Sequence, residues 1–315
     1  MKKNISKNQM QFTSIFLTIL VIFFLFCMLT NPSKYISASL SGISAWAFNV
    51  LPSVLPFMFF TKVLSSLDVI PKLSKPFSKV SGKLFKTPPV SIYAFFMAIL
   101  SGYPVGSKLV ADLYLQNKIS QEDAFKMSSF CSTSGPMFII GAVGVSMFKS
   151  AKIGYILFLS HILGAITNGI CWRNFKLKNF EITQKTEEKQ SQTDMSEIVL
   201  NSTLSILCVG CIITIFFIVI ECLNPIFSLF TPSICAFLQG FIEITKGCIS
   251  LSFLPNKFLA VLLASFVISF GGISTTLQSI SMLSKTKMPI KIFVFQKLLH
   301  GIFSMIFTFI LLVFV

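Results

Sequence analysis

Apolar residues gather into nine stretches, separated by polar connections that carry most of the lysines. The stretches cover 12–30, 44–67, 89–115, 124–148, 153–172, 198–220, 232–251, 258–282 and 290–315. A run of roughly 18 or more apolar residues is long enough to cross a hydrocarbon core as a helix. Several stretches reach that length and they are spread along the whole chain. The pattern therefore predicts an all-α, polytopic membrane protein. One connection, 173–196, is rich in Lys, Glu, Gln and Thr and reads as a solvated linker.

Four stretches are interrupted. Pro52 and Pro56 break the second, and the run Ser101-Gly102-Tyr103-Pro104-Val105-Gly106 breaks the third. Ser132-Thr133-Ser134-Gly135-Pro136 breaks the fourth, and Gly271-Gly272 breaks the eighth. In lipid a freed backbone group costs several kcal/mol unless something satisfies it, so such breaks survive only inside protein or along a wet cavity. The breaks also repeat. Lys108 and Lys246 are 138 positions apart, Gly135 and Gly272 are 137 apart, and His161 and His300 are 139 apart. The segment from Ser101-Gly102 to Lys108 resembles that from Gln239-Gly240 to Lys246. The chain accordingly divides into an N-terminal helix at 1–38, a first membrane repeat at 39–175, a cytoplasmic linker at 176–196 and a second membrane repeat at 197–315.

Charge sets the expected sidedness. Lys72, Lys75, Lys79, Lys83 and Lys86 follow the second stretch, and Arg173, Lys176, Lys178, Lys185 and Lys189 follow the fifth. Cytoplasmic loops carry such an excess, so both connections are expected inside, as is the N-terminus with Lys2, Lys3 and Lys7. Three stretches lie between the two connections, so one of them must not cross. The third is expected to be a re-entrant hairpin turning at Tyr103-Pro104. In the second half, Lys285, Lys287 and Lys291 mark an inside loop, while 221–231 has no Lys or Arg. The two halves then run antiparallel, as an inverted repeat, which many secondary transporters share. Lys149 and Lys152 fall outside in this arrangement.

Composition narrows the function classes. The chain has 315 residues, 54% hydrophobic and 12% charged, against about one quarter charged in soluble domains. The net charge of +15 follows the loop lysines, so positive-inside bias explains it better than nucleic-acid binding. The eight cysteines lie in or beside apolar stretches without metal-like spacing and read as small hydrophobes. The first stretch is long for a signal peptide and is read as an uncleaved helix. There is no HExxH, GxSxG or GxxxxGK[ST], so neither an enzyme nor an ATP-driven pump is expected. No catalytic residue, cofactor or metal site is assigned. The expected partners are a small-molecule substrate and the lipid bilayer, with oligomeric state left open.

The interrupted segments carry a resemblance. Residues 101–108 and 132–139, with Gly240-Phe241-Ile242-Glu243, the run 269–274 and His300, resemble the YlbJ family of sporulation membrane proteins over roughly 40–315. The wider group has nucleoside-recognition Gate domains, shared with concentrative nucleoside transporters and ferrous-iron permeases. The resemblance implies a role in endospore formation: movement of dipicolinic acid from mother cell toward forespore at the outer forespore membrane. A nucleoside-like or other small-metabolite permease, or a scaffold for spore assembly, are the alternatives.

Dipicolinate is a small aromatic dianion, and its site needs positive potential, donors and a flat slot. Half-helix N-termini after Gly106 and Gly135 can supply the first two. The candidate substrate-binding residues are Ser101, Gly102, Tyr103, Gly106, Lys108, Ser132, Thr133, Ser134, Gly135, Gly240, Glu243, Lys246, Gly271, Gly272 and Ser274. Tyr103 and Phe241 could stack on a ring. Lys108 and Lys246 could face a wet cavity or snorkel to the interface. Glu243 and Lys246 have the spacing of a helical ion pair. His161 and His300 read more simply as packed, hydrogen-bonded residues, and Asn168 and Gln278 as polar glue between helices.

Overall fold

The computed structural model describes residues 7–66, 75–176 and 195–314. Most of the 176–196 linker lies outside them, as do Lys2, Lys3, Lys72, Lys178, Lys185 and Lys189. Among the described residues every regular element is helical. Among the described residues five helices are long and apolar enough to cross a membrane: Pro32–Phe60, Ala151–Trp172, Met195–Phe227, Lys257–Thr286 and Ile290–Phe314.

The chain opens with α1 (Lys7–Thr30), and α2 (Pro32–Ala45) starts straight after it. Proline suits the first helical position because its missing N–H is unneeded there. The second apolar stretch thus begins twelve residues earlier than the hydrophobic pattern places it. The added turns are serine-rich, but Ser39 and Ser41 turn their hydroxyls onto the carbonyls of Tyr35 and Ser37 four residues back. A π-helical turn, Trp46–Val50, joins α2 to α3 (Leu51–Ser66) without a gap. Pro52 has no N–H to offer the preceding turn, and a π-bulge is a common way to absorb that loss. These prolines bend the hydrogen bonding and do not end the helix.

After α4 (Ser78–Leu84), helices α5 (Val90–Ser101) and α6 (Val105–Leu115) fold back on each other through Gly102-Tyr103-Pro104. An arm of 12 residues is about 18 Å long, well short of a roughly 30 Å hydrocarbon core. Helix α7 (Gln121–Cys131) starts on a capping box between Ser120 and Asp123. It stops at Ser132, and a π-helix, Met137–Met147, resumes after Pro136. Helix α8 (Ala151–Trp172) completes the first half.

The second half repeats the sequence of devices. Helix α9 (Met195–Phe227) is a long span. Helices α10 (Pro232–Ile242) and α11 (Ile244–Ser252) pack as a hairpin around Glu243. Helices α12 (Lys257–Phe270) and α13 (Gly272–Leu283) are one helix broken at Gly271, which has φ +93°. Helix α14 (Ile290–Phe314) closes the bundle.

Packing between the halves is reciprocal. The returning arm of the first hairpin, α6, lies on α13, while that of the second hairpin, α11, lies on the π-helix Met137–Met147. Helices α8 and α14 form the central pair. Small residues let them approach: a Cβ on Gly164 would reach 3.0 Å from the Ser304 backbone nitrogen. Asn168 adds the polar glue expected of it, donating to the carbonyls of Ser129 at 2.7 Å and Gln296 at 3.0 Å. Gln278 instead bonds within its own helix, to Ser274. Replacing Asn168 by leucine should lower stability by roughly 0.6–1.7 kcal/mol, from the average to the maximum measured for hydrogen bonds between membrane helices. Thermal unfolding in detergent checks this.

Candidate functional site

Each helix break leaves orphan carbonyls on one side and orphan N–H groups on the other. At the first break, Lys297 of α14 donates to the Ser132 carbonyl at 2.8 Å. The Ser134 N–H donates to His161 Nε2 of α8 at 2.9 Å. At the second break, the Tyr103 hydroxyl reaches the carbonyls of Ile268 and Ser269 at 3.4 and 3.3 Å. Lys297 in turn donates to that hydroxyl at 2.6 Å.

The two histidines complete the network. His161 Nε2 accepts a hydrogen bond, so its N–H is on Nδ1, 2.7 Å from the Ser269 hydroxyl. His300 Nε2 donates to the His161 carbonyl at 3.0 Å, which leaves its Nδ1 to accept from Lys297 at 3.5 Å. The rings lie 4.6 Å apart. Lys297 is 2% exposed and all three of its acceptors are uncharged. Orphan carbonyls at helix C-termini need donors, and Lys297 serves one such end directly and the other through Tyr103.

Beside this network a cavity of about 90 Å³ opens where the breaks and hairpin tips converge. Its polar lining includes Ser101, Tyr103, Ser134, Glu243, Ser274 and Gln278, against an apolar wall from α3 and α9. Glu243 is 3% exposed and caps α11, accepting the Lys246 backbone N–H at 2.7 Å. The hydroxyls of Ser132, Thr133, Ser274 and Thr276 are buried without a protein partner. Of these only Ser274 is on the cavity lining, where a polar molecule would satisfy it.

The expected site residues separate into three sets. Ser101, Gly102, Tyr103, Ser134, Gly135, Glu243 and Ser274 line the cavity. Ser132, Thr133, Gly106, Gly240, Gly271 and Gly272 are buried behind it and shape the backbone. At Gly106 a Cβ would strike the Cys131 carbonyl, and at Gly272 one would sit 3.3 Å from the Gly240 carbonyl. The lysines lie elsewhere. Lys108 is exposed, and the Lys246 ammonium lies 5.2 Å from the Phe217 ring centroid, outside the cavity lining. The Glu243–Lys246 contact is a cap to backbone rather than an ion pair. Phe241 stacks on Phe270 at 4.4 Å and has no place on the lining.

Lys297 is the residue that sequence reasoning passed over. The signal was present: a lysine inside an apolar stretch, three residues before His300 and next to Gln296. It was masked by Lys285, Lys287 and Lys291 just upstream, which read as loop charge.

Residues 47–168 match the family model described as Gate, nucleoside recognition. That segment contains the first hairpin and the first break. The chain is 27% identical to the sporulation integral membrane protein YlbJ of Bacillus subtilis (strain 168) over 331 aligned positions, covering 92% of this chain and 81% of that protein. The resemblance read from the interrupted motifs is borne out by both. No solved structure matches the chain.

Proposed function

We propose that this multi-pass membrane protein is a transporter for a small organic anion, built as an inverted repeat. The observation that supports this is the convergence of two broken helices and two hairpin tips on one cavity. Matched breaks around a central site are the arrangement by which transporters present backbone groups to solute. We take the anion to be dipicolinate, moved from mother cell toward forespore with the N-terminus cytoplasmic; similarity to YlbJ is the ground for the sporulation context. Glu243 is the acidic group on the lining, so the anion approaches the Tyr103 side, behind which Lys297 stands. The N-termini of α13 and the π-helix Met137–Met147 add positive potential. The protein is read as a non-enzyme that works down a gradient or coupled to one.

A second reading is a nucleoside-like solute. It is favoured by the Gate match and by a lining without a lysine side chain.

Uptake of labelled dipicolinate and labelled uridine into proteoliposomes tests both. Dipicolinate should accumulate, and Ser274→Val should slow it about fivefold, the value of one lost hydrogen bond. Uptake of uridine alone would transfer the assignment to the second reading. Uptake of neither would leave a scaffold of spore assembly.

A further inference from the structure

A second cavity, of about 190 Å³, lies where the start of α2, the end of α9 and the hairpin arm α11 meet. Helix α2 contributes Lys34, Ser37 and Ser41, α9 contributes Phe217 and Glu221, and α11 contributes Lys246. The first turn of α11 separates this cavity from the central one. Glu243, Ile244 and Thr245 face the central cavity, while Lys246, one residue on, lines the second. A solute passing that turn would meet an ammonium at once.

The chemistry of the lining selects a ligand class. The lining carries two ammonium groups and an aromatic ring, with Lys246 Nζ 5.2 Å from the Phe217 centroid. Among the described residues Lys246 has no carboxylate within ion-pairing distance. Lys34 pairs with Glu221 at 3.2 Å, but the two side chains are 41% and 25% exposed. A partly solvated pair of that kind is weakly held and can exchange its carboxylate for one from a ligand. Two cations, a flat apolar wall and the Ser37 hydroxyl fit a planar molecule with two negative ends, while the Ser41 hydroxyl is held on the Ser37 carbonyl.

We infer that this cavity is a second binding site, a vestibule for an aromatic dicarboxylate on its way into or out of the central cavity. The role as vestibule rests on the transport reading; the anion site itself does not. A bare phosphate, free or on a lipid headgroup, would use the lysines but not the ring.

The test is equilibrium dialysis of the purified chain in uncharged detergent against dipicolinate, with inorganic phosphate in a parallel arm. Lys34→Gln and Lys246→Gln should each weaken dipicolinate binding about 5- to 10-fold, as expected for a charge-assisted hydrogen bond. Glu221→Gln should tighten it about threefold by removing the competing carboxylate. The opposite signs separate a binding site from loss of fold, since a destabilised variant would not gain affinity. No saturable binding by the wild type, unchanged isotherms in the lysine variants, or weaker binding in Glu221→Gln each overturn the inference. Phosphate binding as tightly as dipicolinate also overturns it. If proteoliposomes take up dipicolinate while the lysine variants bind normally, transport stands and the vestibule falls. If uptake is absent but the opposing shifts persist, the anion site stands without transport.

Discussion

Lys297→Met is expected to cut solute uptake by more than tenfold while leaving thermal stability nearly unchanged. Two physical terms oppose each other. Removing the amine orphans the Ser132 carbonyl and His300 Nδ1, at roughly 1–3 kcal/mol each. It also removes a polar amine that is 2% exposed, whose desolvation costs roughly 2–7 kcal/mol before its bonds are counted. The terms are of similar size, so the net change should stay within about 1 kcal/mol. Function has no such compensation. Lys297 ties the C-terminal end of α7 to Tyr103, and Tyr103 ties that end to α12. Without it the two breaks lose their shared hydrogen-bond donor and the aromatic wall loses the group that holds Tyr103 in place. Uptake and unfolding measured on the same preparation decide the matter. A large drop in stability with proportionate loss of uptake would make Lys297 a structural strut. Normal uptake would remove it from the site.

Gly102→Ala is expected to abolish folded protein altogether. Gly102 has φ +72° and ψ −166°, a backbone region that is essentially closed to other residues and costs about 1–3 kcal/mol. Its Cβ would also stand 2.6 Å from the Gly135 nitrogen, where both neighbours are backbone and cannot yield. Strain and overpacking together exceed about 3 kcal/mol, enough to unfold a marginal protein. The contact joins the first hairpin to the first break, so the cavity would go with it. Gly82→Ala is the control. That glycine is exposed on α4, a Cβ there meets nothing within 4 Å, and the change should be neutral or stabilising by about 0.5–1 kcal/mol. Yield and monodispersity in detergent read both. Wild-type behaviour of Gly102→Ala would show that the turn does not hold the break.

How much was legible in the sequence depended on whether the signal was local. The hairpin at Tyr103-Pro104 and the breaks at Gly135 and Gly271 were legible because glycine and proline constrain the backbone where they stand. Pro52 and Pro56 misled, because a π-turn absorbs one and a continuous helix tolerates the other. Lys108 and Lys246 were placed near the solute by their distance along the chain from a break. Side-chain direction then took Lys108 to the surface and Lys246 to the second cavity. Lys297 sits 165 positions from Ser132 and 194 from Tyr103, and no local pattern joins them.

The pattern of apolar stretches and their glycine and proline interruptions determined by itself that this is a helical, multi-pass membrane protein with matched breaks. Transfer of apolar surface and the restriction of φ are properties of single residues and short windows, so a sequence carries them openly. The tertiary structure alone decided which donor attends the breaks, which hydroxyls lack partners and where each lysine side chain ends. Those are relations between atoms of remote segments, fixed only when α8 and α14 close on each other.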